Sequence, residues 1–374
     1  MQADVAVVGA GVVGAATALE LSRRGAHVAL LEAESEPGLQ ASGTNSGVLH
    51  TGFDSKPGEL ETELILRAAE LRDPLLETLG IPVIRCGAVM RPLHPGDEEA
   101  IAAVESNAVS NAVEVSRRSD GALEIPGEAV TDPVAFTLAL VGAAERHGAT
   151  VRTSFQVDRV AVDDRIELFG SGGESVRARA AVNAAGLGAG HVARMAGDRS
   201  FDVYPRKGEF LVFDPPGDEP LEQVLLPIPS ETTKGVLVFP TVDGKVVAGP
   251  TAVDQEDPND WSVRPEARDE IVPKAAAMHP ALAGVEPIAA YAGLRPAGRG
   301  VNYVIERSQA CPQLIHAAAI RSTGLTASPA IAERVADLVA EAGVGVRDPV
   351  PVRGNRVGAV SGSWWRRTAE HRSR

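Results

Sequence analysis

Cysteine is nearly absent from this chain. Cys86 and Cys311 are the two in 374 residues, too few for a disulfide framework, a cysteine-held iron–sulfur cluster or a thiolate zinc site. No metal site is expected, and a reducing, cytoplasmic compartment fits best. Aromatic residues are also scarce, at 4%. Basic side chains are outnumbered, 36 Lys and Arg against 50 Asp and Glu, for a net charge of -14. That balance excludes a general nucleic-acid binder, whose affinity rests on many cationic contacts to phosphate. A small anionic substrate would need a local basic pocket instead. No run approaches the roughly 18 apolar residues of a membrane span, so no transmembrane segment is expected. The apolar start from Val5 to Leu19 is not a signal peptide, because Met1-Gln2-Ala3-Asp4 carries no positive charge and Gly9, Gly11 and Gly14 interrupt it.

What the chain does have is glycine (38) and proline (26), which imply many tight turns and close backbone approaches. With 44% hydrophobic and 23% charged residues, disorder, collagen-like and coiled-coil readings are excluded. The length suits two domains or one large α/β domain.

The strongest signal comes first. Asp4 to Val8 is a short apolar run of the kind that forms a strand buried on both faces of a parallel sheet. Gly9-Ala10-Gly11-Val12-Val13-Gly14 follows, then a helix from Ala15 to Arg24 ended by Gly25, then a second strand, His27 to Glu32. In this βαβ unit Gly9 permits the tight turn, Gly11 lets the backbone approach a pyrophosphate, and Gly14 lets helix and strand pack closely. The helix N-terminus offers free N–H groups and the positive end of its dipole. Glu32, at the end of the second strand, is placed to accept hydrogen bonds from a ribose diol and disfavours a 2′-phosphate. An adenine dinucleotide is expected, with FAD and NAD both open at this point.

Just past the second strand lies a small-residue stretch with a histidine, Ala41-Ser42-Gly43-Thr44-Asn45-Ser46-Gly47-Val48-Leu49-His50-Thr51-Gly52. Such a segment crosses a flat cofactor closely. Here the sequence resembles the FAD-dependent oxidoreductases of the D-amino-acid oxidase superfamily. Within them it is most similar to the glycerol-3-phosphate dehydrogenase/oxidase and L-2-hydroxyglutarate dehydrogenase branch, where an Asn-Ser-Gly-x-x-His element sits beside the flavin ring. The resemblance runs from near residue 3 to near residue 342, through Phe53 to Gly58, Arg206 to Phe210, Lys234 to Thr241, Gly249 to Thr251 and Ser322 to Ala330. It implies FAD as cofactor, held by Gly9, Gly11, Val13, Gly14, Glu32, Ser42, Thr44, Asn45, Ser46, Gly47, Ala185, Gly186, Gly293, Gly324, Leu325 and Thr326. The last three open a helix whose N–H groups and dipole would steady negative charge on the reduced flavin.

Periodicity along the chain predicts helices over 59–80, 97–118, 133–148 and 327–341. The third is opened by Asp132 as N-cap with Pro133 at the first helical position. Strands are expected over 81–92, 149–156, 157–162, 165–170 and 175–182. Residues 203–250 read as antiparallel runs bounded by Pro and Gly, and Val304 to Ile320 as two strands. The fold class is α/β with mixed α+β character. A Rossmann-like FAD-binding domain from 1–58, 129–202 and 291–345 is interleaved with an antiparallel-sheet substrate domain from 59–128 and 203–290. Residues 346–374 form a tail in which Arg353, Arg356, Arg366, Arg367, Arg372 and Arg374 interleave with Trp364-Trp365. A solvated terminus is the expected reading, with contact to an anionic membrane surface as the alternative.

Arg295, in Tyr291-Ala292-Gly293-Leu294-Arg295-Pro296, resembles the superfamily arginine that holds the substrate's anionic group, a role suited to a planar guanidinium. Arg321, Arg299 and Lys56 are further candidates. His50 is the proposed base: oxidising a carbinol sends a hydride to flavin N5 while the hydroxyl proton is taken up, which an imidazole can do. The alternative is a histidine that only packs beside the flavin. Lys207, Lys234 or the substrate's own phosphate are the reserve bases. The resemblance places apolar Val247 near where some oxidases of the family carry an oxygen-activating lysine, and with Lys207, Lys234 and Lys245 nearby in sequence, oxidase and dehydrogenase both stay open. Many glycerol-phosphate relatives continue into a further C-terminal domain. Here an external acceptor, oxygen or a quinone, is expected to reoxidise the flavin. The expected activity is FAD-dependent CH–OH oxidation of a small anionic substrate, glycerol 3-phosphate-like or a 2-hydroxy acid. Two rivals stay open: a CH–NH oxidase acting on amino acids or amines, and a dinucleotide-binding protein that oxidises nothing.

Overall fold

A computed structural model describes residues 1–217, 221–229, 235–354 and 363–372; Lys234, Arg356 and Arg374 lie outside the described residues. The opening unit forms as strand Gln2–Val8, helix Val12–Arg23 and strand Val28–Leu31. Alternation along the first strand gives it two buried faces, Val5 and Val7 joining one hydrophobic cluster and Ala6 and Val8 another. It runs parallel to Val28–Leu31 on one side and to Ser175–Asn183 on the other, with Val5 opposite both Val28 and Ala180. Thr150–Arg152 and Leu314–Ala318 add further parallel strands. Val157–Val162, Ile166–Gly170 and Val304–Arg307 complete the eight-stranded sheet antiparallel to their neighbours.

Helices Val12–Arg23, Leu60–Leu79, Pro133–Arg146 and Gly324–Glu341 pack together around the cluster that contains Val5 and Val7. The third starts as its sequence dictates. Asp132 Oδ1 accepts from the N–H groups of Val134 and Ala135 at 2.8 Å each, and Pro133 needs no acceptor.

A nine-stranded sheet is built mainly from 88–125 and 203–298, and Val48–Leu49, Ala129–Thr131 and Val83–Ile84 form a small third sheet. The longest pairing joins Val203–Phe213 to Ala289–Gly298, antiparallel from Val203 opposite Gly298 to Val212 opposite Ala289. Strand membership therefore moves one boundary. A division at residue 291 would cut through Ala289–Gly298, which belongs wholly to the nine-stranded sheet.

Two more expectations are corrected. The helix predicted over 97–118 spans Asp97–Ser110. The buried Asn111 amide donates to Gly52 O at 2.8 Å and Ser55 O at 2.9 Å, and Ala112 adopts a positive φ of 55°, so the chain turns away into the short strand Ser116–Arg117. The tail is not simply solvated. Trp364–Arg372 is helical, and Trp364 and Trp365 are 1% and 3% exposed in a cluster with Phe210 and Tyr291. Trp364 meets Tyr291 edge to face at 5.8 Å, and Arg367 Nη2 donates to Glu36 at 2.6 Å. Tryptophans buried in this way are not available to a membrane surface. Among the described residues no helix is long and apolar enough to cross a membrane.

Candidate functional site

Each glycine of the first turn has a measurable reason. Gly9 has φ +101°, and a Cβ there would stand 2.4 Å from Ala184 O; one on Gly14 would stand 1.9 Å from Gly9 O. Neither position has room for another residue. At Gly11 the nearest atom to a Cβ would be Ser42 Oγ, at 3.1 Å, and Gly11 lines a cavity of about 970 Å³. Ser42 Oγ also accepts from the N–H of Val12 at 2.9 Å, while the N–H of Val13 finds no acceptor among the described residues. At the end of the second strand Glu32 Oε2 accepts from Ala10 N at 2.7 Å and its Oε1 from Glu34 N at 3.0 Å. Burial pushes the Glu32 carboxyl up, and those backbone N–H groups offset part of the rise.

The same cavity is lined by Val13, Ser42, Thr44, Asn45 and Ser46, by Ala185 and Gly186 after the third parallel strand, and by Gly293, Gly324 and Leu325. Gly293 permits a close crossing, since a Cβ there would lie 2.7 Å from Thr44 Oγ1. Helix Gly324–Glu341 opens with the N–H groups of Gly324, Leu325 and Thr326 free of acceptors among the described residues. Two helix starts with free N–H groups, glycine-lined walls and a carboxylate at one end fit an adenine dinucleotide carrying a flavin. Three expected cofactor residues do not line the cavity. Gly14 packs beneath the turn, Gly47 abuts Thr131 O, and the Thr326 hydroxyl accepts from the N–H of His50 at 3.0 Å.

His50 lines the cavity and is held on three sides. Besides Thr326, Arg72 Nη1 donates to His50 O at 3.1 Å, and His50 Nδ1 lies 3.0 Å from Glu128 Oε2. Glu128 is wholly buried, its other oxygen accepting from Thr51 N at 2.6 Å and Thr51 Oγ1 at 2.9 Å. Sequence reading missed Glu128 and Arg72. They stand 78 and 22 positions from His50, and no local spacing signals either.

Of the four expected anion-binding cations, Arg295, Arg321 and Lys56 line the cavity and Arg299 does not. Arg295 Nε donates to Arg206 O at 3.2 Å, and its Nη2 donates to Lys207 O at 3.1 Å and Thr251 O at 2.8 Å. Nη1 is left without a protein partner among the described residues. Burial above all, then the nearby charges of Arg206 and Arg321, lowers the Arg295 pKa to about 10. Arg206 is the cation that sequence reading overlooked: it lines the cavity and sits directly opposite Arg295 in the antiparallel register. Lys56 is at the rim, exposed and 3.2 Å from Glu59. Arg299 is displaced from the cavity to the surface, donating to both Glu256 oxygens at 2.7 and 2.8 Å and lying over the Tyr204 ring. Lys207 alternates to the opposite face from Arg206 and Gly208 and is buried against Asp260 at 2.8 Å, so it cannot serve as a reserve base. Lys245 pairs with Asp214 away from the cavity, at 2.6 Å.

A family model described as FAD dependent oxidoreductase (DAO) matches residues 4–338. A glycerol 3-phosphate dehydrogenase of Caloramator mitchellensis is 29% identical over 352 residues, covering 90% of this chain and 73% of that protein. A mitochondrial L-2-hydroxyglutarate dehydrogenase of Arabidopsis thaliana is 27% identical, covering 89% and 83%. Among solved structures, the dithionite-reduced L-alpha-glycerophosphate oxidase of Mycoplasma pneumoniae with FAD bound superposes with a TM-score of 0.89. Its identity is 24%, over 96% of this chain and 100% of that one, a likeness of fold. The chain therefore belongs to the FAD dependent oxidoreductases of the DAO family, as an enzyme with FAD as its cofactor.

Proposed function

We propose that this enzyme oxidises the CH–OH group of a small anionic substrate, and that the substrate is glycerol 3-phosphate or a close phosphorylated polyol. The observation that carries this reading is the convergence of Arg295, Arg206 and Arg321 on the cavity that also holds His50. Arg206 stands directly opposite Arg295, and although Asp254 pairs with Arg206 at 2.6 Å, burial and then the charges of Arg206 and Arg321 still lower the Arg295 pKa, so an anion bound at Arg295 would be favoured. A doubly charged phosphate neutralises such a cluster better than a single carboxylate does. The glycerol 3-phosphate dehydrogenase and oxidase names of several relatives support the same choice.

Gly9, Gly11, Val13, Glu32, Ser42, Thr44 and Asn45 would hold FAD along one wall, with Gly324 and Leu325 at its far end. Bound FAD supplies a two-electron acceptor for the hydride that leaves the carbinol carbon. The Arg295 guanidinium reaches the anionic group through Nη1 and fixes the orientation of the carbinol. His50 takes up the hydroxyl proton as the C–O bond becomes C=O. Phe53, Met90, Leu226 and Leu237 line the same cavity and exclude water from the reacting atoms. An external acceptor, oxygen or a quinone, then recycles the cofactor. The test is loss of the yellow flavin absorbance under anaerobic conditions with glycerol 3-phosphate, 2-hydroxyglutarate, other 2-hydroxy acids and amino acids. Bleaching by glycerol 3-phosphate at the lowest concentration is expected. Bleaching by amino acids alone would transfer the assignment to CH–NH oxidation.

A further inference from the structure

We infer that Glu128 is a positioning residue for the reaction: it holds the His50 imidazole in the tautomer whose Nε2 is free to accept the substrate's proton. The inference rests on the reading of His50 as base and goes one residue beyond it. Its ground is the bonding of a buried carboxylate. Glu128 is wholly buried, and its side-chain partners among the described residues are the Thr51 N–H and hydroxyl on Oε1 and the His50 ring on Oε2. No arginine or lysine forms an ion pair with it among the described residues. Arg72, which also influences it electrostatically, spends its Nη1 on His50 O. An ionised carboxylate can only accept, so the nitrogen facing it at 3.0 Å carries the hydrogen. With the proton on Nδ1, Nε2 has its lone pair available, and the other ring edge is the one left for the cavity.

Thr51 fixes the carboxylate in turn. Its N–H and Oγ1, 2.6 and 2.9 Å from Oε1, stop Glu128 from rotating and keep Oε2 on the histidine. The backbone of His50 is held at both ends by Thr326 and Arg72, so the ring has little freedom besides rotation about its own side-chain bonds. Glu128 removes that freedom. When Nε2 accepts the proton the ring becomes an imidazolium, and the carboxylate that holds Nδ1 stabilises the new charge. The substrate's C–H electron pair leaves as hydride to FAD, the carbinol becomes a carbonyl, and the proton on Nε2 later passes to solvent. The Nδ1 hydrogen stays on the ring, donated to Glu128 Oε2, while Nε2 takes up the new proton.

Glu128→Gln tests the assignment with almost no change of volume. Its carbonyl oxygen can still serve Thr51, which turns the NH₂ toward His50 Nδ1 and forces the ring hydrogen onto Nε2. The limiting rate of anaerobic flavin reduction by glycerol 3-phosphate should fall roughly 10²–10⁴-fold, with the substrate concentration for half-maximal rate changed less than about threefold. In a His50→Asn background the same change should cost nothing further, because its effect passes through the ring. If His50→Asn reduces at the wild-type rate, the base reading itself fails. If His50→Asn is slow while Glu128→Gln is not, only the positioning role fails, and a full additional loss in the double variant overturns it too. One measurement does not depend on any variant folding: ¹⁵N spectra of histidine-labelled wild-type holoenzyme should show a neutral His50 protonated on Nδ1. A ring protonated on Nε2 instead refutes the inference.

Discussion

Replacement of Arg295 by lysine puts the anion site to its most direct test. The guanidinium makes three bonds to backbone carbonyls, 3.2 Å to Arg206 O, 3.1 Å to Lys207 O and 2.8 Å to Thr251 O, which leave Nη1 as the arm for an anion. With its pKa lowered to about 10 the side chain is still charged at neutral pH, so Arg295 presents a positive charge to the cavity. An ammonium keeps that charge but cannot both hold the three carbonyls and extend a further arm to the anion. Losing one charge-assisted hydrogen bond to the phosphate costs about 1.5–3 kcal/mol, or roughly 10- to 150-fold in dissociation constant. Arg206 and Arg321 remain, so binding should weaken and not vanish. Arg206→Ala should cost less than Arg295→Ala, because Arg206 Nη1 is already committed to Asp254 at 2.6 Å. The assay is stopped-flow flavin reduction over a glycerol 3-phosphate series, with FAD content read from visible absorbance to exclude unfolding. A dissociation constant within twofold of wild type for Arg295→Lys, in fully flavinated protein, would refute the role given to Arg295.

Other expectations are as concrete. Gly14→Ala should give protein without bound FAD, since its methyl group would need the space held by Gly9 O at 1.9 Å; a yellow, fully flavinated Gly14→Ala variant contradicts the packing argument. Trp364→Ala should cost about 3–5 kcal/mol by emptying a buried site against Tyr291, read as a lowered midpoint in urea. Phenylalanine should cost much less, because the Trp364 indole N–H has no partner to lose among the described residues. Acid should destabilise the fold through His316. Burial first, against the pull of Asp198, lowers its pKa, so the unfolded chain takes up a proton that the folded one resists. Stability from this source is present above about pH 6.5 and declines as pH falls below it, and His316→Asn should flatten that part of a plot of Tm against pH.

What could be read from the sequence was local. The βαβ unit declared itself because Gly9, Gly14 and the alternating apolar residues of the first strand meet their constraints within thirty residues, as did the Asp132-Pro133 helix start. The Asn45 to His50 element stood out by resemblance, and part of its turn is local, Asn45 Oδ1 accepting from Gly47 N at 2.9 Å, while Thr131, Thr326 and Arg72 complete its bonding from elsewhere in the chain. The end of the helix at Ser110 was not legible, because Asn111 finds its partners at Gly52 and Ser55. The same holds for the cations. Arg299 and Arg295 look alike along the chain, but strand register places Arg295 across from Arg206 over the cavity and lets Arg299 reach Glu256 at the surface. The tail's tryptophans read as solvent-bound until a distant sheet supplied Tyr291 and Phe210 to bury them. Glu128 shows the division most clearly. As a sequence position it is one acidic residue among fifty. It gains a partner only when pairing of Ala129–Thr131 with Val48–Leu49 carries it beside His50, because a carboxylate's role depends on what stands within about 3 Å of it, and tertiary structure alone sets that distance.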